Sequence, residues 1–548
     1  MKKRLVQIAL FLAVATPAFA VGGTCPAGAN YLVGSGTTPG TLASFGITNC
    51  YYISKSAGSD TNAGTSEGSP WAHLPGMPSC SNVCASAVPT SNNNAAPGTG
   101  FILKGGDTWV ASDLDAYWIW IGTSGSPIYI GVDPNWYSGS SWTRPVWTCG
   151  GGPCTYTGNG NGFYTDWSGV QYVTVDNIEV TGLYSSSASY PNYFSIYGSY
   201  NTFEHIYAHG WSHASSASGA YDNSNVFSPS TCCAGGLGNI FHDNVIDGSD
   251  TTEDSMAAFF SAPAIVYNNV VRYVTNGLEG ASNDVHDNWF GPIVFCFPSS
   301  GCHQNAIQQA GPVSGTNVTI YDNVITGVAS GGMGKLWVEQ AAVNNGAINT
   351  YVFNNIEFNS PPGNDVDICQ LGTNCGTHYF FNNTFECGND TSTDTCSSPG
   401  GGGPTTVVYW TNNHCITSSV CFNNLGTNVT ATLTTNLTQS VSTASGQGYT
   451  STSTYAFQTT GGSGSTVGAG TNEQSLCSTI AAFDSTAGTA CQSDTAYACA
   501  YNTSNHTVTC PDRTVNARPA SAAWDIGAYQ FGSATPVSPP SSVTAAPH

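Results

Sequence analysis

The sequence predicts an all-β solenoid, a stack of short strands wound into coils, and two observations lead there. Nine segments share one frame: "VTVDNIEV", "TFEHIYA", "IFHDNVIDG", "IVYNNVV", "DVHDNWF", "TIYDNVITG", "YVFNNIEF", "YFFNNTF" and "VCFNNL". Each places alternating apolar residues before a polar pair, mostly Asp-Asn or Asn-Asn, and then resumes with apolar residues. The anchors Asn177, His205, Asn244, Asn269, Asn288, Asn323, Asn355, Asn383 and Asn424 recur at bounded but unequal intervals, with Gly/Ser/Thr turns between them. No helical periodicity accompanies them. A bounded, varying period fits coils that carry loops of different length. Each coil buries little alone, and stacking gives one continuous apolar interior. Asparagines stacked at one turn exchange side-chain hydrogen bonds and so satisfy buried amides. A sandwich with Asn-favouring hairpin turns would not hold nine segments in one frame.

Along the chain, residues 1–20 have a basic start at Lys2, Lys3 and Arg4, a short apolar run and a small-x-small site at Ala18-Phe19-Ala20. That is the pattern of a cleaved export signal, too short in its apolar part to span a bilayer comfortably. Residues 21–100 are expected to form an N-terminal cap and the first strands, and 101–430 the repeat. Residues 431–531 are read as C-terminal coils and an irregular cap, and 532–548 as a disordered Ser/Pro/Thr tail. No other segment approaches about 20 consecutive apolar residues. The expected product is secreted, monomeric and without a membrane span.

The formal net charge is −22, and beyond residue 20 only Lys55, Lys104, Lys335, Arg144, Arg272, Arg513 and Arg518 are positive. Such a chain repels phosphate backbones, which excludes nucleic acid as a partner. The 20 cysteines of an exported chain imply disulfides. A sequential pattern pairs Cys25/Cys50, Cys80/Cys84, Cys149/Cys154, Cys296/Cys302, Cys369/Cys375, Cys387/Cys396, Cys415/Cys421, Cys477/Cys491 and Cys499/Cys510, leaving Cys232 and Cys233. Bridges over such short loops remove little unfolded-state entropy, so they are expected to pin loops. The paired CxxC spacing of a zinc site is absent.

The repeats, together with "YYISKSAGSDTNAGTSEGSPWAHL" (51–74), "FILKGGDTW" (101–109) and "ARPASAAWDIGAYQF" (517–531), resemble the pectate-lyase-like superfamily. The resemblance spans roughly residues 50 to 531 and implies a single-stranded right-handed parallel β-helix. It implies an extracellular polysaccharide as partner, and leaves the activity open among lyases, glycoside hydrolases, esterases, epimerases and noncatalytic surface proteins. The paired-aspartate and Arg-x-Lys pattern of polygalacturonase-like enzymes is absent. So are the catalytic arginine motif of typical pectate lyases and the pectin-esterase signature.

In that superfamily the strand before the Asn-bearing one lines the substrate groove. Carried over, the layout selects 192–198, 222–228, 254–261, 276–280, 304–310, 335–340, 365–370 and 407–411. Parallel strands on successive coils lie about 4.8 Å apart, so these segments form columns. One predicted face then gathers Asp254, Glu279, His303, Gln308, Lys335, Trp337, Glu339, Asp365 and Asp367. In a hydrolase Glu279 and Glu339, two coils and roughly 10 Å apart, would act as acid and base, a separation that favours inversion. In a lyase Lys335 would remove the C5 proton of a uronate while Asp254, Asp365 and Asp367 held Ca²⁺. In a noncatalytic glycan-binding protein, Trp337 and Trp410 would stack on sugar rings.

The expectation is a polysaccharide-cleaving enzyme, hydrolysis preferred over elimination because one lysine and no arginine occupy the face. Glu279, Lys335 and Glu339 are the catalytic candidates. Asp254, His303, Gln308, Trp337, Asp367 and Trp410 are the substrate-binding ones. No cofactor is firmly implied, and Ca²⁺ is the candidate ion. The bland alternative makes Lys335 and Glu339 a surface ion pair worth under about 1 kcal/mol. A second cluster, His205, His209 and His213 with His242, Asp243, Asp247, Asp250, Glu253 and Asp254, lies on strand and turn, so no helical zinc motif follows. His205 is expected to replace a ladder asparagine, and Asp247 to pair with Arg272 one coil on.

Overall fold

The computed structural model describes residues 22–26, 41–87, 95–114, 116–150, 152, 162–166, 169–185, 192–213, 225–229, 237–251, 257–260, 264–280, 282–294, 305–309, 316–327, 336–338, 349–359, 366–368, 375–387, 397–399, 406–423, 429–449, 457–497 and 499–532. Residues 1–20, read from the sequence as an export signal, and residues 533–548 lie outside them.

The chain winds through three parallel sheets of 13, 12 and 10 strands, a right-handed single-stranded parallel β-helix. One coil shows the order: Asn239–His242 in the first sheet, Val245–Asp247 in the second, Ala257–Phe260 in the third, then Ala264–Tyr267 back in the first. The first sheet runs from Asn49–Ile53 to Val429–Thr434, the second from Thr108–Trp109 to Leu437–Gln439, and the third from Ala116–Trp118 to Ser397–Pro399. Alternation along each strand sends every second residue inward. On the third sheet Phe194, Phe227, Phe259, Leu278 and Ile307 are in register and buried, one per coil.

The first sheet turns into the second through two residues with different tasks. The first is left-handed: Asp243, Asn268, Asp287, Asp322, Asn354, Asn382 and Asn412 have φ between 52° and 56°. Asp and Asn tolerate that conformation better than other residues with a side chain. The second is the ladder asparagine. From Asn244 through Asn269, Asn288, Asn323, Asn355, Asn383, Asn413 and Asn436, each Nδ2 donates to the next Oδ1 at 2.9–3.3 Å. The same oxygens accept the backbone N–H of the preceding coil's asparagine, as Asn323 Oδ1 does from Asn288 at 3.1 Å.

Two anchors read from the sequence are corrected by this register. Asn177 and His205 occupy the left-handed position, with φ 59° and 52°, and Ile178 and Ile206 follow where the ladder would run. The ladder therefore starts at Asn244, whose Oδ1 caps the Ile206 N–H at 2.9 Å. Its far end uses Asn413 and Asn436, while Asn424 lies outside the described residues. The segment 407–411 also moves: Thr406–Thr411 pairs with Thr377–Phe381 in the first sheet and has no place in the third.

Helices are few. α1 (Asn82–Ala87) lies in the N-terminal cap, and α2 (Val441–Gly446), α3 (Gln474–Ala481) and α4 (Ser485–Ala490) follow the last coil. The segment after residue 440 folds back along the outside of the solenoid as a strap. On the first sheet its Cys477, Ile480, Ala487 and Trp524 pack against Tyr321, Phe353 and Phe381. On the second, Tyr449, Phe457, Tyr497 and Tyr529 cover Val324, Ile356, Phe358 and Ile416, and Cys499, Val508 and Cys510 cover Tyr207, Val245 and Val270. Buried Arg144 ties the strap down near its far end, donating to the carbonyls of His205, Asn505 and His506. Arg518 does the same from the strap's side, reaching Asn354 Oδ1 at 2.8 Å.

The sequential disulfide pattern is present at Cys25–Cys50, Cys80–Cys84, Cys415–Cys421, Cys477–Cys491 and Cys499–Cys510. Two of these, Cys477–Cys491 and Cys499–Cys510, brace the strap. Cys154, Cys232, Cys233, Cys296, Cys302, Cys369 and Cys396 lie outside the described residues.

Removing one ladder amide isolates its neighbours. In Asn323→Ala the Asn288 N–H and Nδ2 both lose Asn323 Oδ1 as acceptor. Nδ2 keeps the carbonyls of Val266 and His286, but the buried N–H is left without that acceptor at a cost of about 1–3 kcal/mol, and urea unfolding of the variant is expected to show a loss of about that size. The exposed amide pair of Asn349 and Asn317, 3.1 Å apart, is the control. Asn349→Ala is expected to stay within about 0.5 kcal/mol of the parent.

Candidate functional site

The strap decides which face can meet a large ligand. Among the described residues, its buried apolar side chains pack on the first and second sheets and none packs on the third. The third sheet's outer column is continuous in register: Phe260, Glu279, Gln308, Trp337, Asp367 and Ser398 follow one another, one per coil. Glu279, Gln308, Trp337 and Asp367, singled out in the sequence from separate segments, thus stand at consecutive positions. Lys335, Glu339, Asp254, His303, Asp365 and Glu253 lie outside the described residues.

A second asparagine series, not recognised in the sequence, sets the column. Asn192, Asn225, Asn276 and Asn305 stand at the start of third-sheet strands, with Ala257 in register between Asn225 and Asn276. Asn305 N–H donates to Asn276 Oδ1 at 3.0 Å, and Asn225 N–H to Asn192 Oδ1 at 3.1 Å. Three of these four amides also reach three residues ahead, while Asn225 Nδ2 donates to Asn192 Oδ1 at 3.2 Å. Asn276 Nδ2 donates to Glu279 Oε2 at 3.1 Å, Asn305 Nδ2 to Gln308 Oε1 at 3.0 Å, and Asn192 Nδ2 to Ser195 Oγ at 3.2 Å. The signal was present as Asn-x-x-Ser, Asn-x-x-Glu and Asn-x-x-Gln. It went unread because it looks like an ordinary polar strand entry.

Glu279 is partly exposed, and its carboxylate is oriented by a neutral donor. Gln308 is different: it is 3% exposed, so it supports the column and has little surface to give a substrate. Trp410 is a correction. It is wholly buried in the interior, with its ring against Phe380, Phe385 and Phe422 and Nε1 directed at Cys421 Sγ. It belongs to the first sheet, where alternation points it inward, and it offers no face to a sugar.

The histidine cluster lies beneath and beside the strap. Asp176 Oδ1 holds His205 Nδ1 at 2.8 Å and accepts from Asn177 Nδ2 at 2.7 Å, while Oδ2 accepts from Tyr129 at 2.6 Å. Glu204 meets His242 Nε2 at 3.1 Å, and Asp243 meets His242 Nδ1 at 2.7 Å. Asp176, Glu204 and His205 offer three buried ligand atoms within 4.8 Å of one another. Since Asp176 and Glu204 are already engaged with protein donors, the arrangement is that of a structural network. From His242 a column of stacked rings continues through Tyr267, His286, Tyr321, Phe353 and Phe381, with centroids 4.7–5.0 Å apart. Asp247 and Arg272 form the expected ion pair at 3.2 Å.

No family model and no curated sequence matches the chain. Among solved structures, it is similar to the pectate lyase Pel9A at 16% identity, covering 88% of this chain and 96% of that one, with a TM-score of 0.43. It is similar to a GH136 lacto-N-biosidase from Eubacterium ramulus at 13% identity, covering 72% and 68%, with a TM-score of 0.40. A rhamnogalacturonan lyase matches at 12% identity over 75% and 94%, with a TM-score of 0.38. Similarity at this level transfers no activity and no residue.

One titration reports on the strap's edge. His209 Nδ1 lies 2.6 Å from Asp250 and Nε2 3.1 Å from Glu179, and Tyr207 stacks between His209 and the strap's His506. Burial alone would lower the imidazole's pKa, but the two carboxylates outweigh it and raise the value to about 9. A raised folded-state value stabilises fully below the ordinary 6.5 and loses that contribution as pH rises through about 9. His209→Gln is therefore expected to melt below the parent in mildly acidic buffer. The gap should close above that value, and thermal melts across the range check it.

Proposed function

We propose that the chain is a carbohydrate-active enzyme that cleaves extracellular polysaccharide along the outer face of the third sheet, by glycosidic hydrolysis. One observation carries this: Glu279 stands in the outer column of the face the strap leaves uncovered, with Asn276 fixing its carboxylate. A parallel stack repeats one position per coil, which suits a substrate that is itself a chain. Glu279 is placed to donate a proton to the leaving glycosidic oxygen. Glu339, outside the described residues, is assigned as the base that activates water, the pairing expected of an inverting enzyme. Trp337 and Asp367 continue the column and are assigned to substrate binding. Five disulfides among the described residues fit the export that the sequence predicts.

Hydrolysis is favoured over elimination by charge. A net charge of −22 disfavours a polyuronate, whose carboxylates a lyase must neutralise.

The test is a panel of neutral and acidic polysaccharides, with products followed as reducing ends and as ultraviolet-absorbing unsaturated sugars. New reducing ends without unsaturation are expected. Unsaturated products would replace hydrolysis by elimination, and no product from any polysaccharide would overturn the enzyme assignment. Glu279→Gln is expected to fold like the parent and to lose about 10²–10⁴-fold in turnover. Full activity in that variant would remove Glu279 from the chemistry.

A further inference from the structure

The ring columns of the first sheet end before the sheet does. Tyr351, Tyr379 and Tyr409 stack with centroids 5.0 Å apart and planes within 7°, and the next coil places Thr432 in register. In the neighbouring column Phe353 stacks on Phe381, and the following coils supply Thr411 and Thr434. Where the rings stop, α3 stands off from the sheet. The space between is a cleft of about 360 Å³, within the range of small-ligand clefts.

We propose that this cleft, between the last tyrosines of the first sheet and the start of α3, is a noncatalytic binding site for a neutral sugar residue.

Its chemistry makes the choice. Tyr379, Tyr409, Thr411, Thr434 and Thr479 line it with hydroxyls, Leu476 gives an apolar wall, and Glu473 is the sole charged residue. Glu473 sits at the N-cap of α3 without making a side-chain cap bond, and burial raises its pKa. No hydrogen bond or ion pair of that carboxylate to the protein occurs among the described residues. A carboxylate left to accept, beside hydroxyls and an apolar wall, matches a ligand that presents several O–H donors and a C–H face. An anion would meet Glu473 with no cation to offset it. A quaternary ammonium would seek ring faces, but the Tyr379 ring lies face to face between its neighbours. Tyr409, 38% exposed, ends the stack and is the ring a pyranose can reach. The cleft lies on a different sheet from Glu279 and does not depend on the hydrolytic reading.

The test uses the full chain as Glu279→Gln, which keeps the oligosaccharides intact, and titrates cellohexaose, xylohexaose and mannohexaose by calorimetry. Hexagalacturonate and tetramethylammonium are the charged controls. At least one neutral hexasaccharide is expected to bind, and Tyr409→Ala and Glu473→Gln are each expected to weaken that binding at least tenfold. Glu473→Gln keeps the side-chain volume and guards against a folding defect in Tyr409→Ala. On an otherwise unaltered chain, neither substitution should change turnover of a soluble polysaccharide. Equal binding in parent and both variants would overturn the site, as would binding of a charged control alone or of no hexasaccharide. Loss of turnover on Glu279→Gln with unchanged calorimetry would test the catalytic proposal separately.

Discussion

From Asn244 onward, the coils depend on a turn of two residues in which the first adopts a left-handed conformation and the second is an amide that bonds along the stack. The left-handed residue reverses the chain in the least space, so Asp243, Asp287 or Asn354 can join two strands without a protruding loop. The amide then links coils. Because Asn323 Oδ1 accepts from both the N–H and the Nδ2 of Asn288, a coil that slipped by one residue would lose two bonds at once. Strand register elsewhere in the coil follows from that fixed point. Column order on the third sheet, which lies on the far side of a variable loop, is inherited from it. Loop length between second and third sheets can therefore vary without disturbing Glu279, Gln308, Trp337 and Asp367 in consecutive register.

Among the described residues, the strap covers the first and second sheets of the solenoid and packs no buried apolar side chain on the third. A parallel stack has outward columns on all three sheets, and large apolar residues on two of them would be exposed without a cover. Tyr321 and Phe353 on the first sheet, and Val324 and Ile356 on the second, are outward positions buried by residues after 440. The same cover encloses His242 and His286, whose carboxylate partners Asp243 and Asp287 are the left-handed turn residues. A histidine–acid cluster that would suggest catalysis in an open groove is here part of the packing. What separates the two carboxylate-rich regions is access. Asp176 and Glu204 are enclosed, whereas Glu279 is partly open.

Legibility in the sequence followed the same division. The repeat frame disclosed the solenoid because apolar alternation and the polar pair are local, and both recur in every coil. It misassigned Asn177 and His205 because the two turn positions accept overlapping residue types, and only backbone geometry tells a left-handed residue from a ladder residue. Trp410 was misplaced for a related reason. The segment 407–411 precedes an Asn pair as third-sheet strands do, but at the distance of a first-sheet strand, so its alternation runs inward. The column through Glu279 was legible because stacking turns sequence-distant strands into neighbours. The amides that orient it were not, since an asparagine three residues before a glutamate becomes meaningful only when the next coil repeats it. The strap was least legible of all. Its apolar residues are spread over about ninety positions without a period, and nothing local says which sheet they cover.

The scarcity of charge joins these features. In a chain with 8% charged residues, several of the described carboxylates are committed to named partners: Asp60 to backbone amides and His73, Asp113 to Lys55, Asp494 to Arg513, Asp247 to Arg272. Such groups hold loops and strap in place. Glu279 accepts from the Asn276 amide, a neutral donor that orients its carboxylate. Glu473, in a hydroxyl-lined cleft, has no protein donor among the described residues, and burial raises its pKa. Glu279 and Glu473 are the carboxylates on which the two proposals rest, one on the third sheet and the other in the cleft beside α3.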